Sequence, residues 1–405
     1  MGSPVDNPRR LLPLIVTITG LGVLSFGIVA PALPDLADEL EVSRGAIGLV
    51  QGSVAVPGIF LAAYIGYLAD RFGRRRVIRV SLVLFGVFGL ACFFARSFWL
   101  LVAMRVLQGL GTSGLLSLGV VVIGDIFTGL DRRWAMGVNL AGLTATTTLA
   151  PVIGGLLAEG GAFRPFLVHI LFIPVFFLAR RLPDHENDGP TAPPVQHLKE
   201  ALGQVREKGR LTDFLGVLPM SFLTLGAFLG LGIAVLPLFL ESEFGLGVAQ
   251  RGLVAAILSG TSSTFSVMSG RIGKRFTRSA VLSTAFGVMV IGFLVIAISP
   301  SLWVLALGLM ILGSGTGSIF PLLQDYSASA GPTRYRGVLV GTWVSANRAG
   351  QFSGPAGGTA IAGSIGERSA YLGGAALMTI VFLVWRPLRR VARRRWPGGP
   401  PAGHR

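Results

Sequence analysis

Two arginines, Arg105 and Arg348, stand inside long apolar runs. A charge at such a depth in a bilayer costs roughly 2.5–3.5 kcal/mol on insertion scales, so it is either closely bonded or functional. Arg105 follows the start of its run by about 7 residues, or ~10 Å of helix, and Arg348 by about 11 residues, or ~16 Å. Gln108 and Gln51 are amides able to satisfy Arg105, as are backbone carbonyls, and for this residue structural and coupling roles both stay open. Arg348 has Asn347 and Gln351 as near neighbours, which favours a polar cavity. His169 also lies in an apolar run; an imidazole can titrate near neutral pH, or it can be a packed, hydrogen-bonded residue. No Asp or Glu falls in the middle of any apolar run, leaving Asp70, Asp125, Asp38 and Glu39 at the edges.

Other patterns lose their force in context. Gly109, Gly111 and Gly114 spell G-x-G-x-x-G, but a dinucleotide fingerprint follows a strand and opens a helix. Here the glycines lie within a long apolar stretch, where small residues serve helix packing. Cys92 is the single cysteine, so no internal disulfide can form. No metal-ligand cluster and no nucleophile–base–orienter set can be named, which argues against an enzyme. The net charge of +16 comes from short basic clusters between apolar runs, unlike the contiguous stripe of a nucleic-acid surface.

The elements that position these residues are apolar runs of membrane-spanning length. Of 405 residues 52% are hydrophobic and 13% charged, against about 25% charged in soluble domains. Crossing a hydrocarbon core takes about 20 apolar residues. The runs place spans at 11–34, 46–69, 77–95, 98–125, 134–158 and 165–181, then at 214–240, 251–270, 279–300, 302–325, 337–362 and 369–386. The expectation is an all-α integral membrane protein of twelve transmembrane helices, arranged as two pseudo-symmetric six-helix bundles. The first run is too long for the apolar core of a signal peptide, and no cleavage site follows it.

Alternate loops carry 28 of the lysines and arginines on one side and five on the other. By the positive-inside rule both termini are cytoplasmic. Residues 182–213 form a cytoplasmic connector between an N-terminal bundle (1–181) and a C-terminal bundle (214–388), and 389–405 a basic tail suited to anionic lipid. The connector begins with a polar, proline-rich stretch expected to be disordered. It ends with Leu198, Leu202, Val205 and Leu211 at near-helical spacing, as in an amphipathic helix lying on the inner membrane surface. An internal repeat joins the halves. At an offset of 204, Gly66 falls on Gly270, Arg71 on Arg275, Arg74 on Arg278, Gly109 and Gly111 on Gly313 and Gly315, and Pro151 on Pro355. Parallel repeats of this kind place a substrate cavity between the halves.

The loop Gly66-Tyr67-Leu68-Ala69-Asp70-Arg71-Phe72-Gly73-Arg74-Arg75-Arg76 closely resembles the signature loop of the major facilitator superfamily. Arg105 through Gly111 is similar to the family's intramembrane arginine motif. Ala150-Pro151-Val152-Ile153-Gly154-Gly155 resembles the proline–glycine motif of its antiporters, and Gly354-Pro355-Ala356-Gly357-Gly358 is a shortened second version. Pro31 and Pro34 also fit, and the resemblance covers almost the whole chain. It implies a latch in which Asp70 and Arg74 pair with Asp125 and favour the outward-facing state. In the second loop Lys274 replaces the acid, so a symmetric second latch is not expected.

The resemblance further implies a secondary active transporter working by alternating access in the plasma (inner) membrane. Proton-coupled efflux of small amphipathic drug-like molecules is the leading expectation, from the antiporter-type motifs. The alternative, from Arg348 and the missing interior acids, is a symporter or exchanger for a small organic anion. A non-transporting membrane sensor would need a folded soluble domain, for which connector and tail are too short. The expected partners are the bilayer, a small-molecule substrate and protons, with no nucleic acid, no cofactor beyond the proton gradient, and a monomeric chain.

Overall fold

Proline and glycine punctuate the apolar runs, and the chain bends where they fall. The computed structural model describes residues 8–183, 194–207, 211–331 and 336–394, and among them every regular element is helical. The first pass is α1 (Leu12–Gly27) and α2 (Leu33–Glu39), joined through a 3₁₀ turn at Ala30–Ala32. The chain returns through α3 (Gly48–Gly52), a 3₁₀ turn at Ser53–Ala55 and α4 (Val56–Phe72). Then come α5 (Arg74–Phe94), α6 (Phe98–Ile126) and α7 (Gly129–Ala158). A 3₁₀ stretch at Arg164–Leu171 leads into α8 (Phe172–Leu178), and α9 (Pro194–Glu207) lies in the connector.

The second half opens with α10 (Leu211–Leu229), which winds through a π-helical segment, Gly230–Val235, into α11 (Leu236–Phe244). It continues with α12 (Val248–Arg275), α13 (Arg278–Ala297), α14 (Leu302–Ser329), α15 (Arg336–Ile365) and α16 (Glu367–Arg394). Nine helical stretches among the described residues are long and apolar enough to cross a membrane. The other three expected spans are helical at 48–72, 164–181 and 336–365. In the first of these the described apolar helix runs Gly48–Leu61; the second carries Arg164, Arg180 and Arg181 within its length, and α15 is polar, with Asn347, Arg348 and Gln351.

The repeat is visible residue by residue. Gly109 abuts the backbone of Val54, and Gly313 abuts that of Leu258. Gly111 fits against Ser81 and Phe85, while Gly315 fits against Ala285 and Met289. Each partner is displaced by the same 204 positions as its glycine. A side chain at these points would force the helices apart, which is why small residues recur there. Two apolar cores follow, one drawn from Leu11 through Leu182 and one from Val217 through Val381. Ala234 and Leu238 join the first core and Ala30 the second, so the irregular segments of α1–α2 and α10–α11 each reach into the core of the other half.

The two ends of the bundle are marked by ion pairs. Arg9 meets Asp131 at 2.9 Å at the end where the chain enters and α16 returns, here termed the terminal end. Arg368 meets Glu243 at 2.8 Å at the opposite, distal end. The connector departs from expectation in one respect: the apolar side of α9 is docked on protein. Ala201 and Val205 are buried with Phe214, Ala330 and Leu339, because their small side chains allow a close approach to the ends of α10, α14 and α15. Lys199, Glu200 and Arg206 stay exposed. The last helix also runs on through Pro387 to Arg394, past the expected end at 386; at a water boundary the carbonyl that proline leaves free can bond solvent. The stretch at 184–193 and the tail beyond 394 lie outside the described residues.

Candidate functional site

The break in the first pass creates the first polar site. Pro31 and Pro34 carry no backbone N–H, and the last helical bond of α1 is Ile28 N–H to Leu24 O at 3.1 Å. The carbonyls of Ser25 and Phe26 are left to side chains, as helix-end carbonyls must be. Arg105 supplies one: its Nη2 donates to Ser25 O at 3.1 Å. Its Nε donates to Val50 O at 3.0 Å, and Nη1 to Gln108 Oε1 at 2.9 Å. Gln51 supplies the other, donating from Nε2 to Phe26 O.

From Gln108 the bonds continue in one direction. Its Nε2 lies 2.6 Å from His169 Nε2, and His169 Nδ1 lies 2.8 Å from Phe166 O. Because a carbonyl only accepts, Nδ1 carries the hydrogen and Nε2 accepts from the glutamine amide. Arg105, Gln108 and His169 are each fully buried. This chain ties α1, α3, α6 and the 3₁₀ stretch at Arg164–Leu171 together, and all three guanidinium nitrogens of Arg105 have acceptors.

Arg348 is equally interior, 7% exposed, and differently surrounded. It projects from the middle of α15 across to the first half. A Cβ at Gly58 would stand 2.9 Å from its Cδ, and its guanidinium lies 5.6 Å from the ring of Phe26. Only Nη1 is bonded, donating to Gln351 Oε1 at 2.8 Å. The adjoining Asn347 Oδ1 and the Oε1 of Gln51 are buried without a partner. On the other side of the interface Thr144, Thr147, Ser262, Ser266 and Phe320 line a cleft of about 170 Å³ between α7, α12 and α14.

Polar contacts join the halves at the distal end. Arg251 of α12, 2% exposed, holds both carboxylate oxygens of Asp35 through Nη2 at 2.7 and 3.0 Å. Arg44 meets Glu241 at 2.9 Å. Thr359 Oγ1 donates to Gly45 O at 2.8 Å and accepts from Gly48 N–H at 3.2 Å. The proline–glycine helices pack here too. Gly154 abuts Ile28, Gly155 lies against Gly252, the carbonyl of Pro355 covers Gly48, and Gly354 and Gly358 abut Gly226 and Gly230; Pro151 sits inside α7 with its carbonyl against Gly252. Sequence reasoning missed Asp35, Arg251 and Thr359. Their signal, an acid following Pro34 and a lone arginine in the first turn of a span, carries no pairing rule across 216 residues.

At the terminal end Arg74 forms an ion pair with Asp125. Gly73 makes the turn before it with φ 86°, a backbone region that glycine enters freely. Arg71 lies over the ring of Phe72. The side chains of Gly66, Asp70 and Lys274 are outside the described residues, so the acid of the expected latch is placed only as part of α4.

Comparison with known proteins agrees with this architecture. The model of the Major Facilitator Superfamily matches residues 15–234 and 217–402. The bacillibactin exporter of Bacillus subtilis (strain 168) is 26% identical over 328 residues, covering 77% of this chain and 78% of that protein. The multidrug resistance protein MdtG of Salmonella typhi is 25% identical over 415 residues, covering 96% and 98%. The crystal structure of the human organic anion transporter MFSD10 (TETRAN) superposes with a TM-score of 0.69 at 20% identity, over 94% of this chain and all of that one. With the model matching nearly its whole length, the chain belongs to the major facilitator superfamily and is a multi-pass membrane transporter, not an enzyme.

Proposed function

We propose that this transporter exports small amphipathic, drug-like molecules across the plasma membrane by alternating access, in exchange for protons. The observation that carries the reading is the one-sided seal between the halves. The hydrogen bonds and ion pairs named above that join first half to second lie at the distal end, through Asp35, Arg44, Gly45 and Gly48. A carrier whose halves are tied at one end is what alternating access requires in one of its two states. With both termini cytoplasmic, that state is closed to the outside and releases or takes up its cargo from within. The names of relatives that match 77% and 96% of the chain, an exporter and a multidrug resistance protein, point to efflux. The bilayer, the cargo and protons are the partners this reading needs, and a single chain contains the whole cleft.

The test is transport by everted vesicles carrying an acid-interior gradient. Adding an exported dye or antibiotic should dissipate the gradient, and collapsing the gradient with an uncoupler should stop the flux. A flux indifferent to the gradient removes proton exchange, and the absence of flux for dyes, antibiotics and organic anions alike removes export.

A further inference from the structure

We infer that Arg348 is the anchor of a subsite for an acidic group, so that the preferred cargo is an amphipathic organic anion with its carboxylate at α15 and its apolar body toward Phe26. The inference rests on the transporter reading above and adds the chemical class of the cargo.

A buried cation requires compensation, and the protein supplies little of it. No carboxylate among the described residues pairs with Arg348; Asp35, Asp125, Asp131, Glu241 and Glu243, all near the ends of the bundle, pair with other arginines. One N–H goes to Gln351, and the ring face of Phe26 offers a weak attraction at 5.6 Å. Arg105 is the internal control. It too is buried and lacks a carboxylate, yet each of its three nitrogens has an oxygen acceptor from the protein. At Arg348 the Nε and Nη2 donors have none, and a planar guanidinium with two free donors matches a carboxylate in a bidentate fork.

The surroundings fit an amphipathic molecule. Gln351, one turn along α15, holds Nη1 and leaves the other edge of the guanidinium open. Phe26 provides an apolar face. Gly58 leaves room for the arginine stem, since a Cβ there would crowd Cδ at 2.9 Å and Cγ at 3.1 Å. The charge is one-sided. The residue 204 positions earlier is Thr144, an uncharged lining residue of the cleft between α7, α12 and α14, so the acidic group has one place to go.

The experiment uses the full-length protein in detergent and in proteoliposomes. Thermal stabilisation is measured with a panel of aromatic carboxylates (1-naphthoate, naphthalene-1-acetate, ibuprofen) and their primary amides. The wild type should bind at least one acid tenfold or more tighter than its amide. Arg348→Gln, accepted as folded when monodisperse on size exclusion, should lose that preference; Arg348→Lys should keep part of it. Equal binding of acids and amides by the wild type overturns the inference, as does a preference that survives Arg348→Gln or vanishes equally in Arg348→Lys. Proteoliposomes separate the two failures. A protein that moves neutral dyes but treats acids and amides alike refutes only the acidic subsite, whereas one that moves neither dyes nor panel members refutes export.

Discussion

At Arg105 the guanidinium replaces backbone donors that two interrupted helices lack. Its three acceptors belong to three different segments, at Ser25, Val50 and Gln108, and a fork of fixed geometry reaches them together. An ammonium cannot, so Arg105→Lys should lower stability by about 2–4 kcal/mol, at ~1–3 kcal/mol for each buried acceptor left without a donor. The measurement is the melting temperature of the purified protein in detergent. His169→Leu should act the same way on a smaller scale, by ~1–3 kcal/mol, since it strands the Gln108 amide and Phe166 O. The one-way chain assigns His169 a packing role, so the pH profile of transport should keep its shape in that variant. A profile shifted by a full unit would reassign His169 to coupling. The sequence made Arg105 and Gln108 readable as a pair, because three residues on a helix share a face. It could not bring His169 to them, because that meeting depends on a 3₁₀ stretch packing against α5 and α6.

At the scale of elements, the span boundaries were readable and the interruptions were not. The expected spans at 302–325 and 337–362 correspond to α14 and α15 at Leu302–Ser329 and Arg336–Ile365, because run length alone sets them. The first expected span, 11–34, contains a break after Gly27 that Pro31 and Pro34 hint at. The π-helical Gly230–Val235 has no proline within it and had no readable signal. The pairing of helices across the halves was also hidden, since it depends on tertiary contact alone. Gly45 lies against Ala360, where a Cβ on the glycine would stand 3.5 Å from the Ala360 Cα. Cysteines at 45 and 360, in a Cys92→Ser background, should therefore form a disulfide on mild oxidation, since the approach suits disulfide geometry. Transport should stop and return with reductant; a cross-linked protein that still transports would contradict opening at the distal end. Asp35→Asn should weaken the same seal. Expected is a several-fold faster reaction of Thr359→Cys with an impermeant maleimide, measured against the same cysteine with Asp35 intact.

For the whole molecule the open number is the count of crossings. Nine described helices qualify on length and apolarity, and twelve were expected from the sequence. The remaining helices, at 48–72, 164–181 and 336–365, decide the count: the second ends in arginines and the third carries Asn347, Arg348 and Gln351, so composition undercounts them. Tags on the two termini should both be cleaved by protease in everted vesicles and both be protected in intact cells. Tags on opposite sides would require an odd number of crossings and would overturn the cytoplasmic placement of one terminus.

The seams between the halves have an unusual texture. Gly48 and Gly52 press on the backbone of Pro355 and Phe352, and Gly155 meets Gly252 chain to chain. Helices that interlock through ridges and grooves must lift out of register to move. Surfaces made of bare backbone have no teeth to disengage, so the two bundles can roll past one another while staying in contact. The glycines thus form a plain bearing, and the distal ion pairs are the brake on it.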